Sequence, residues 1–512
     1  MSLELCLYEG YLRNRKQLLA ELSLEEGRSR KETEESIILE GYRRWKKNAP
    51  AHFFGSFSFA IKDTGSGEYF CSRDAFGIEN FYYYRTKNGE VLFSTNIKSI
   101  AEDPSYSKDI DDDALQLFCM FGYPAGEKTL YKGIKKLLPG RSLIFRDGEI
   151  FIERWFIPKF VPDDEKTLDN WVDALEETFE KVLKEDRENL NYAECASLLS
   201  GGVDSSYLLA MSGIPDAYNM DFEESVLKET EFAKRTAGTL GTCFHTLDIS
   251  REDYFKALPD FVKCTELPVV DASGAAFFMG CSRIGKEKSI VFSGEGADEF
   301  FAGYHVYRRL DELGCGEEPN YYGCDGVMPE KEAMRFLGQN LAYPVKELLK
   351  ESFDLSADHL SRMLSADIAL WLEGDILLCV GRSAGGCDKK AILPYTDLRM
   401  FDLSAGMPSA YKRKDDIGKY ALRCAAERKL PYETAFRKKA GSVVPVREWF
   451  RKEKPLVERV IFSKESSSFF DGKMLRNYWE SYLNGGFTEF RVIFAVYIYM
   501  IWYENVYKGS SL

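Results

Sequence analysis

The 512-residue chain has few histidines and lacks the cysteine spacing of metal clusters. It has 4 histidines and 12 cysteines, with no Cys-x-x-Cys pair and no Cys/His cluster at metal-ligand spacing. This scattered spacing gives no sign of a structural metal site, and in a chain of this length it favours reduced, buried thiols. Long apolar runs are missing too, because the longest, residues 492–502, falls far short of the roughly 20 residues that cross a bilayer. Residues 1–16 show no secretory signal pattern, so we expect a cytoplasmic protein without a membrane partner.

Positive charge is also scarce, with 68 Lys and Arg against 82 Asp and Glu and a net charge of −14. Proteins that coat nucleic acid need clustered cations, so we expect no nucleic-acid partner, while a local basic site for one nucleotide fits the composition. A hydrophobic content of 45% and an aromatic content of 14% exclude a disordered chain. The length predicts two to four domains with ample buried core.

The first part of the chain has a β-sheet pattern. Residues 4–160 alternate apolar and polar positions between Gly, Asn and Asp turns, which predicts antiparallel sheet with one helix over residues 32–45. The polar stretch at residues 158–170 is the predicted linker. We therefore place a first, α+β domain at residues 1–160.

The remainder has the pattern of an α/β layer. Short buried strands alternate with helical patterns, which is typical of a parallel sheet. From residue 329 onward the pattern is mainly helical, with amphipathic helices predicted over residues 367–380 and 416–427. The second predicted domain spans residues 169–512.

The strongest chemical signal is the string SGGVDSS at residues 200–206, which follows an apolar run and precedes a helical pattern. A strand that ends in a glycine turn and leads into a helix presents backbone N–H groups and the positive helix end to an anion. The serine hydroxyls add donors, and Asp204 can reach a cation that bridges phosphates. No Gly-Lys-Ser/Thr follows, so the string is not a Walker A loop. The alternative is a purely structural Gly-Gly turn.

A second string, SGEGADE at residues 293–299, follows the predicted strand 289–292. Carboxylates beside an anion site are expected where a divalent cation neutralises them or where one of them accepts a proton. Asp298 therefore pairs with Asp204 as a predicted Mg²⁺ ligand, and Glu295 is the candidate general base. The alternative is a helix N-terminus at which acidic side chains complement the dipole.

The two strings resemble the pyrophosphate loop and the SGEG(S/A)DE element of the asparagine synthetase B-type family. This family belongs to the PP-loop ATP pyrophosphatases and also contains β-lactam synthetases, carbapenam synthetase and lasso-peptide cyclases. The basic residues 437–439, followed by Gly441, Pro445 and Trp449, resemble its R-x-K element, and Lys419 matches the helix before it. Residues 54–60, 72–74 and 131–140 resemble its glutaminase domain.

The resemblance implies an antiparallel Ntn-like sheet domain followed by an adenine-nucleotide α-hydrolase-like domain with a helical C-terminal part. It implies ATP and Mg²⁺ as cofactors, with Mg²⁺ on Asp204 and Asp298, Glu295 as the base and Lys439 stabilising phosphate charge. A basic triplet is otherwise usually a solvated surface. The implied nucleotide-binding residues are Leu199, Ser200, Gly201, Gly202, Asp204, Ser205, Ser206, Met220, Ser293 and Gly294.

The implied reaction has two steps. A substrate carboxylate attacks the α-phosphate of ATP and releases pyrophosphate, and ammonia or an amine then displaces AMP to form an amide. The family residue at the position of Glu295 is Tyr in the cyclising β-lactam enzymes and Glu in ammonia-using asparagine synthetases. Glu295 therefore tilts the prediction toward the latter.

The first domain departs from the glutaminase pattern. The family domain begins with a cysteine whose own α-amine is the base, whereas the first cysteine here is Cys6, inside a strand-like run. The glutamine-binding string Asn-Gly-Glu-x-x-Asn reads EGYLRN at residues 9–14, and Ser-Asp-x-Glu reads KETE at residues 31–34. We expect a degenerate domain that does not hydrolyse glutamine.

The synthetase part departs as well. The family's Glu-x-Arg-x-Pro-Phe maps onto Lys390, Ile392 and the Pro-Tyr that follows. Replacing a carboxylate and a guanidinium by an ammonium and an alkyl chain changes what a pocket binds. We hypothesise that the substrates are not aspartate plus ammonia. Lys390 is either a ligand for a substrate carboxylate or phosphate, or an exposed loop lysine.

Three functions remain open on the sequence. The leading one is an AMP-forming amide ligase with a small-molecule carboxylate and an amine or ammonia as substrates, with a homodimer as a compatible assembly. The second is a specialised ligase that closes a ring or joins two metabolites. The third is a catalytically idle binding or regulatory homologue, against which the retention of Asp204, Glu295, Asp298 and Lys439 argues.

Overall fold

The computed structural model describes residues 2–225, 229–307, 326–338, 345, 347–348, 358–438 and 444–509. The first half contains strands β1 to β8 and helices α1 to α4. In chain order these are β1 (Leu3–Leu12), α1 (Arg15–Leu22), α2 (Arg30–Trp45), β2 (Gly55–Asp63), β3 (Tyr69–Arg73), β4 (Tyr82–Arg85), β5 (Val91–Ser94), α3 (Ile97–Ala101), α4 (Asp112–Phe121), β6 (Lys135–Lys136), β7 (Arg141–Arg146) and β8 (Glu149–Arg154).

The second half begins with α5 and its sheet. In chain order its elements are α5 (Leu168–Asn189), β9 (Cys195–Leu198), α6 (Val203–Ser212), β10 (Asp216–Phe222), α7 (Glu229–Leu240), β11 (Cys243–Ile249), α8 (Arg251–Thr265), α9 (Ala272–Arg283), β12 (Ile290–Phe292), α10 (Ala297–Phe301), α11 (Glu330–Leu337), α12 (His359–Ala366), a π-helix (Asp367–Leu377), α13 (Leu378–Gly386), β13 (Lys390–Ile392), α14 (Leu398–Gly406), α15 (Ser409–Lys412), β14 (Arg413–Lys414), β15 (Ile417–Gly418), α16 (Tyr420–Glu427), α17 (Tyr432–Ala435), α18 (Val446–Lys452), α19 (Lys454–Ile461), α20 (Gly472–Leu483), α21 (Thr488–Trp502) and a second π-helix (Tyr503–Tyr507).

The N-terminal half is a layered antiparallel fold, which confirms the predicted fold class. One sheet has the order β1-β2-β3-β7-β8 and a second has the order β5-β4-β6. Strand β2 is buried on both faces because Phe57 and Phe59 pack under α2 while Ala60 packs toward the second sheet. This explains why its sequence, GSFSFAIKD, is almost continuously apolar or small.

The second half is built on a five-stranded parallel sheet of order β11-β10-β9-β12-β13. The chain leaves β9 toward β10 on one side and later returns to β12 on the other side. Loops after β9 and β12 therefore diverge at a topological switch point, where α/β sheets form ligand crevices. Both sequence strings begin in these two loops and continue into the first turns of α6 and α10.

Two predicted helices differ in detail from the structure. The helix over residues 367–380 is a π-helix until Leu377 and an α-helix from Leu378. The helix over residues 416–427 was wrong in its first turn, because residues 413–418 form the β14–β15 hairpin and Lys419 adopts a left-handed φ of 58°. Buried charge pairing of Lys419, described below, fixes this backbone and outweighs local helix propensity.

The terminal apolar run forms α21, which is buried among helices α8, α19 and α20 and thus has a core rather than a surface role. No helix in the described parts of the chain is long and apolar enough to cross a membrane. All ten cysteines that the structure describes are free.

Buried charges join the two halves. Arg13 donates to Asp186 of α5 at 2.9 Å and to Asp397 before α14 at 2.8 Å, and all three side chains are at most 4% exposed. Arg73 and Lys136 approach Glu373 of the first π-helix at 2.9 and 2.8 Å. Such pairs are costly to break, because a lost partner leaves an uncompensated buried charge.

Lys412 is a buried amine whose charge works against the fold. Its side chain is fully buried, its Nζ lies 4.4 Å from the Phe160 ring centroid, and it has no hydrogen-bond partner among the described residues. Burial lowers the pKa of Lys412 to about 7 from 10.5, with Asp358 only partly opposing this. Between these two values the unfolded chain holds a proton that the folded chain lacks, so stability rises with pH from about 7 to 10.5.

Lys412→Met should therefore stabilise the protein at pH 7 by on the order of 2 kcal/mol, because it removes the cost of the buried amine. Its stability should also depend less on pH between 7 and 10 than that of the parent chain. Chemical denaturation across this range measures both effects. The exposed, ion-paired Lys429 serves as the matched control in Lys429→Met. A loss of stability in Lys412→Met at pH 7 would contradict the assignment.

Candidate active site

Two loops form the centre of the site. Residues 199–202 connect β9 to α6, and residues 293–296 connect β12 to α10. A Cβ added at Gly294 would lie 3.2 Å from Cβ of Asp204 and 3.3 Å from N of Ser205, so glycine at this position lets the loops touch. In the first turn of α6, the Ser205 hydroxyl accepts from N of Ser200 at 3.2 Å and lies 3.3 Å from O of Gly202. Ser205 therefore fixes the loop conformation.

A cavity of about 200 Å³ opens between these loops, β10, α9 and the first π-helix. Most of the predicted site residues line it, namely Leu199, Ser200, Asp204, Ser205, Met220, Ser293, Gly294, Glu295 and Asp298. Tyr218, Asn219, Phe222, Phe277, Ile376 and Val380 add a largely apolar wall. An apolar cavity with a few convergent polar groups is the usual form of a small-molecule site.

A second cavity of about 30 Å³ lies on the other side of the same aspartates. It is lined by Gly201, Gly202, Val203, Asp204, Asp298, Gly303, Lys419, Arg423 and Arg437. Three cations and the N-terminus of α6 thus surround a small space at the glycine turn. That combination binds phosphate groups.

Lys419 bridges the two predicted metal ligands. Its Nζ lies 2.6 Å from Asp204 Oδ2 and 2.6 Å from Asp298 Oδ1, and its side chain is 4% exposed. Burial opposes the charge of Lys419, but the two carboxylates hold its pKa above the usual value. A Cβ at Gly303 would lie 1.9 Å from Asp298 Oδ1 and 2.1 Å from Cε of Lys419. Glycine at 303 therefore makes room for the bridge.

Arg437 is held against the first loop by three contacts. It donates to O of Gly201 at 2.9 Å, forms an ion pair with Glu229 of α7, and stacks on the Phe232 ring at 4.0 Å from its centroid. Arg423 donates to carbonyls of Ala435 and Arg437 at 2.7 and 3.0 Å. The cations of the small cavity are therefore positioned before any anion binds.

The donor set fits a divalent cation. Asp204 Oδ1 is buried and has no hydrogen-bond partner among the described residues, while its Oδ2 accepts from Lys419. Asp298 Oδ1 contacts the same Lys419 ammonium at 2.6 Å. Two carboxylates with an unused buried oxygen are hard oxygen ligands of the type that Mg²⁺ prefers.

An acidic cluster lies beneath the large cavity. Ligand atoms of Asp271, Asp375 and Cys379 lie within 4.8 Å of one another, and Asp271 lines the cavity. Asp271 caps α9 by accepting from N of Ser273 and Gly274 at 2.8 and 2.7 Å. Burial raises the pKa of Asp271, and burial together with Asp271 raises that of Asp375 well above its usual range.

Some predicted residues lie elsewhere. Ser206 is fully buried in α6 and lines neither cavity, so its hydroxyl is not placed for a phosphate. Lys439 lies outside the described residues. Lys390 begins β13 and forms an ion pair with Glu79 of the N-terminal half, and it is absent from the lining of both cavities. The hypothesis that Lys390 binds substrate therefore has no support in its position, and it is not an exposed loop lysine either.

Several site residues escaped the sequence analysis. Asp271 and Glu229 carry no recognisable string. Lys419 and Arg423 matched a helix of the family, but the match gave no sign of the bridge that Lys419 forms. The only local signal was the Asp-Ala-Ser-Gly sequence at residues 271–274, which is typical of a helix N-cap. The others come from segments distant in sequence and are joined to the loops only by the fold.

Known proteins share this organisation. Residues 173–504 match the family model described as asparagine synthase, and residues 3–156 match the model of a glutamine amidotransferase domain. Asparagine synthetase (glutamine-hydrolyzing) 1 of Bacillus subtilis is 27% identical over 551 residues, which cover 98% of this chain and 86% of the relative. A putative asparagine synthetase (glutamine-hydrolyzing) of Mycobacterium bovis is 25% identical over 528 residues, covering 92% and 80%.

A solved structure of glutamine-dependent NAD+ synthetase from Acinetobacter baumannii is 11% identical, covers 71% of this chain and 85% of that chain, and has a TM-score of 0.20. At that score the likeness carries no inference about function. The family model, by contrast, spans more than half of the 512 residues. The chain therefore belongs to the asparagine synthase family of ATP-dependent amide ligases.

Proposed function

We propose that this chain adenylates a small carboxylic acid with release of pyrophosphate and then transfers the acyl group to ammonia or an amine. The observation that carries the proposal is the pair of cavities that share Asp204 and Asp298. One is mainly apolar and large enough for a small ligand, and the other is small and surrounded by cations. This division suits a reaction that separates an acyl-adenylate from pyrophosphate.

The cation-lined cavity suits the leaving pyrophosphate. The N-terminus of α6, with Lys419, Arg423 and Arg437, would hold its oxygens and stabilise the charge that develops on it. Asp204 and Asp298 would hold Mg²⁺, which supplies charge neutralisation between phosphate groups when bound. Arg437 is already fixed by Glu229, so little reorganisation is needed. Lys439 remains a prediction for the same charge.

The large cavity suits the nucleoside and the acyl group. Its wall of Tyr218, Met220, Phe222 and Phe277 would exclude water from a reactive mixed anhydride. Glu295 lies at this cavity, and its Oε1 accepts from the Ser293 hydroxyl at 3.3 Å. We assign Glu295 to accepting the proton of the incoming amine.

The acid is proposed to differ from aspartate. Ile392 carries no charge and is buried, and the ammonium of Lys390 forms an ion pair with Glu79. Neither residue therefore supplies a cation to a second carboxylate of the substrate. None of the described residues that line the large cavity is Lys, Arg or His. Aspartate carries two carboxylates, whereas only one of them is consumed in the reaction. A monocarboxylic acid matches this lining better.

The nitrogen source is proposed to be ammonia or an amine, not glutamine. Two residues of the EGYLRN string contact the second half instead of a ligand, because Tyr11 donates to Asp186 at 2.8 Å and Arg13 binds Asp186 and Asp397. Cys6 lies on strand β1, where the partial burial of its thiol and the charge of Glu4 raise the pKa of that thiol. A nucleophilic cysteine needs the opposite shift.

A pyrophosphate-release screen tests this proposal. The full chain is incubated with Mg²⁺-ATP and individual carboxylic acids, each with ammonium, an amine, glutamine or no nucleophile. We expect AMP and pyrophosphate with a monocarboxylic acid and product with ammonium or an amine, but no glutamate from glutamine. A product without added nucleophile would mark ring closure. Robust asparagine formation would contradict the altered substrate, and the absence of both ATP binding and pyrophosphate release would contradict the ligase itself.

A further inference from the structure

The first π-helix, Asp367–Leu377, lies between the N-terminal half and the large cavity. Its residue Ile376 lines the cavity, and so does Val380 of the following helix. Three residues before Ile376, Glu373 is 2% exposed and contacts the N-terminal half. A π-helix has wider turns and poorer hydrogen bonding than an α-helix, and such segments need support from their surroundings.

Glu373 is clamped by two cations of the N-terminal half. Its Oε1 accepts from Arg73 Nη1 at 2.9 Å and its Oε2 accepts from Lys136 Nζ at 2.8 Å. The side chains are 1 to 3% exposed. Burial opposes ionisation, but Lys136 and Arg73 hold the pKa of Glu373 below its usual value. The carboxylate is therefore ionised and locked in place.

The clamp is itself rigid. Arg73 also donates to the carbonyls of Gly77, Glu79 and Leu137 at 2.9, 2.6 and 2.8 Å. Lys136 donates to O of Pro124 at 3.2 Å. All of these partners belong to the N-terminal half, so the position of Glu373 is dictated by that half.

The neighbour of Glu373 packs equally closely. A Cβ at Gly374 would lie 2.4 Å from the Tyr123 ring, and the ring centroids of Tyr123 and Trp371 are 6.0 Å apart. The next residue, Asp375, is 1% exposed and belongs to the acidic cluster with Asp271, which lines the cavity. Glu373 thus lies two residues before Asp375 of the acidic cluster and three residues before Ile376 of the cavity wall.

A second contact reaches the opposite wall. Glu79 accepts from the Ser56 hydroxyl at 2.7 Å and forms the ion pair with Lys390. Lys390 pairs in register with Ile290 at the start of β12, the strand that leads into Ser293 and Glu295. Arg73 binds O of Glu79, so one side chain links the supports of both walls.

We propose that the amidotransferase-like half is a positioning scaffold for the side of the large cavity that Ile376 and Val380 line, with Glu373 as the positioning residue that Arg73 and Lys136 hold. The proposal rests on the proposed function only in assigning this side of the cavity to the carboxylic acid, with the nucleoside in the remainder. The half that matches the model of a glutamine amidotransferase domain thus shapes the pocket that selects the acid.

Hydrogen exchange of the full-length chain tests the clamp without a known substrate. We expect Glu373→Gln to speed exchange over residues 367–386 by about tenfold, while residues 195–212 and the Kd for Mg²⁺-ATP stay within about threefold. Lys136→Met, which keeps the pair between Arg73 and Glu373, should shift the same peptides and serves if Glu373→Gln does not fold. With an acid that supports pyrophosphate release, Glu373→Gln should raise KM for that acid about tenfold and leave KM for ATP unchanged.

Arg13→Gln is the matched control. It breaks an equally buried cross-domain ion pair, but its partners in α5 and before α14 do not line the cavity. Unchanged exchange over residues 367–386 in both clamp variants would overturn the proposal, as would equal loosening of that segment in Arg13→Gln. If the parent chain releases no pyrophosphate with any acid, the proposed function fails, whereas the exchange experiment still decides the clamp.

Discussion

Lys419→Met should lower ATP–pyrophosphate exchange by about 10³-fold, and it should also destabilise the fold by about 3–5 kcal/mol. The ammonium lies 2.6 Å from each of two carboxylates in a site that is almost closed to solvent. Without it, Asp204 and Asp298 repel each other and the small cavity loses a cation. Exchange assays and chemical denaturation measure the two effects.

Magnesium gives this prediction a second readout. In Lys419→Met the paired carboxylates should bind free Mg²⁺, so the metal should raise the thermal midpoint of the variant more than that of the parent. The matched control is Lys414→Met, which changes an exposed lysine of the hairpin that directly precedes Lys419. This variant should behave like the parent. A variant with normal stability and normal exchange would show that the bridge is not part of the site.

Asp204→Asn should also lose exchange, but without the loss of stability expected for Lys419→Met. We expect exchange to fall by about 10²- to 10³-fold, because a carboxylate at the junction of the two cavities is lost. Stability should change by less than about 1 kcal/mol, since the amide oxygen still accepts from Lys419 and one of two like charges is removed. The Tyr395 hydroxyl donates to the backbone O of Asp204 at 3.0 Å and is unaffected.

The control for this change is Asp216→Asn. Asp216 is the first residue of β10, so it lies at the amino ends of the strands, whereas the two loops follow the carboxyl ends. It pairs with Lys288 and His245 at 2.6 and 2.8 Å. It should keep full exchange. Equal loss of exchange in both variants would indicate a general effect of removing carboxylates. Retained exchange in Asp204→Asn would remove Asp204 from the site.

The parts of the site that the sequence predicts well are those built from neighbouring residues. SGGVDSS and SGEGADE each follow a buried strand, and parallel strands bring their carboxyl ends to one edge, so the meeting of Asp204 with Asp298 follows from local pattern plus sheet topology. Ser206 is the exception, since its helical position turns it into the core.

The parts that could not be predicted depend on long-range pairing. Lys419 reaches Asp204 across 215 residues, and Arg437 reaches Gly201 across 236. No periodicity or spacing encodes such partners. The same holds for the backbone of Lys419, whose left-handed φ interrupts a pattern that otherwise predicts a helix. The family resemblance marked Lys419 and Arg437 as matching residues, while only the fold shows what they contact.

The cross-domain ion pairs also bear on how the chain is made. The N-terminal half leaves the ribosome first, before the carboxylates that pair with Arg13, Arg73 and Lys136 have been synthesised. Arg13 meets Asp186 only 173 residues later and Asp397 only 384 residues later, and Glu373 follows Arg73 by 300 residues and Lys136 by 237. Contacts this distant form late and slowly. The ion pairs of Asp397 and Glu373 that join the amidotransferase-like half to the second half can thus form only after most of the second half has been synthesised.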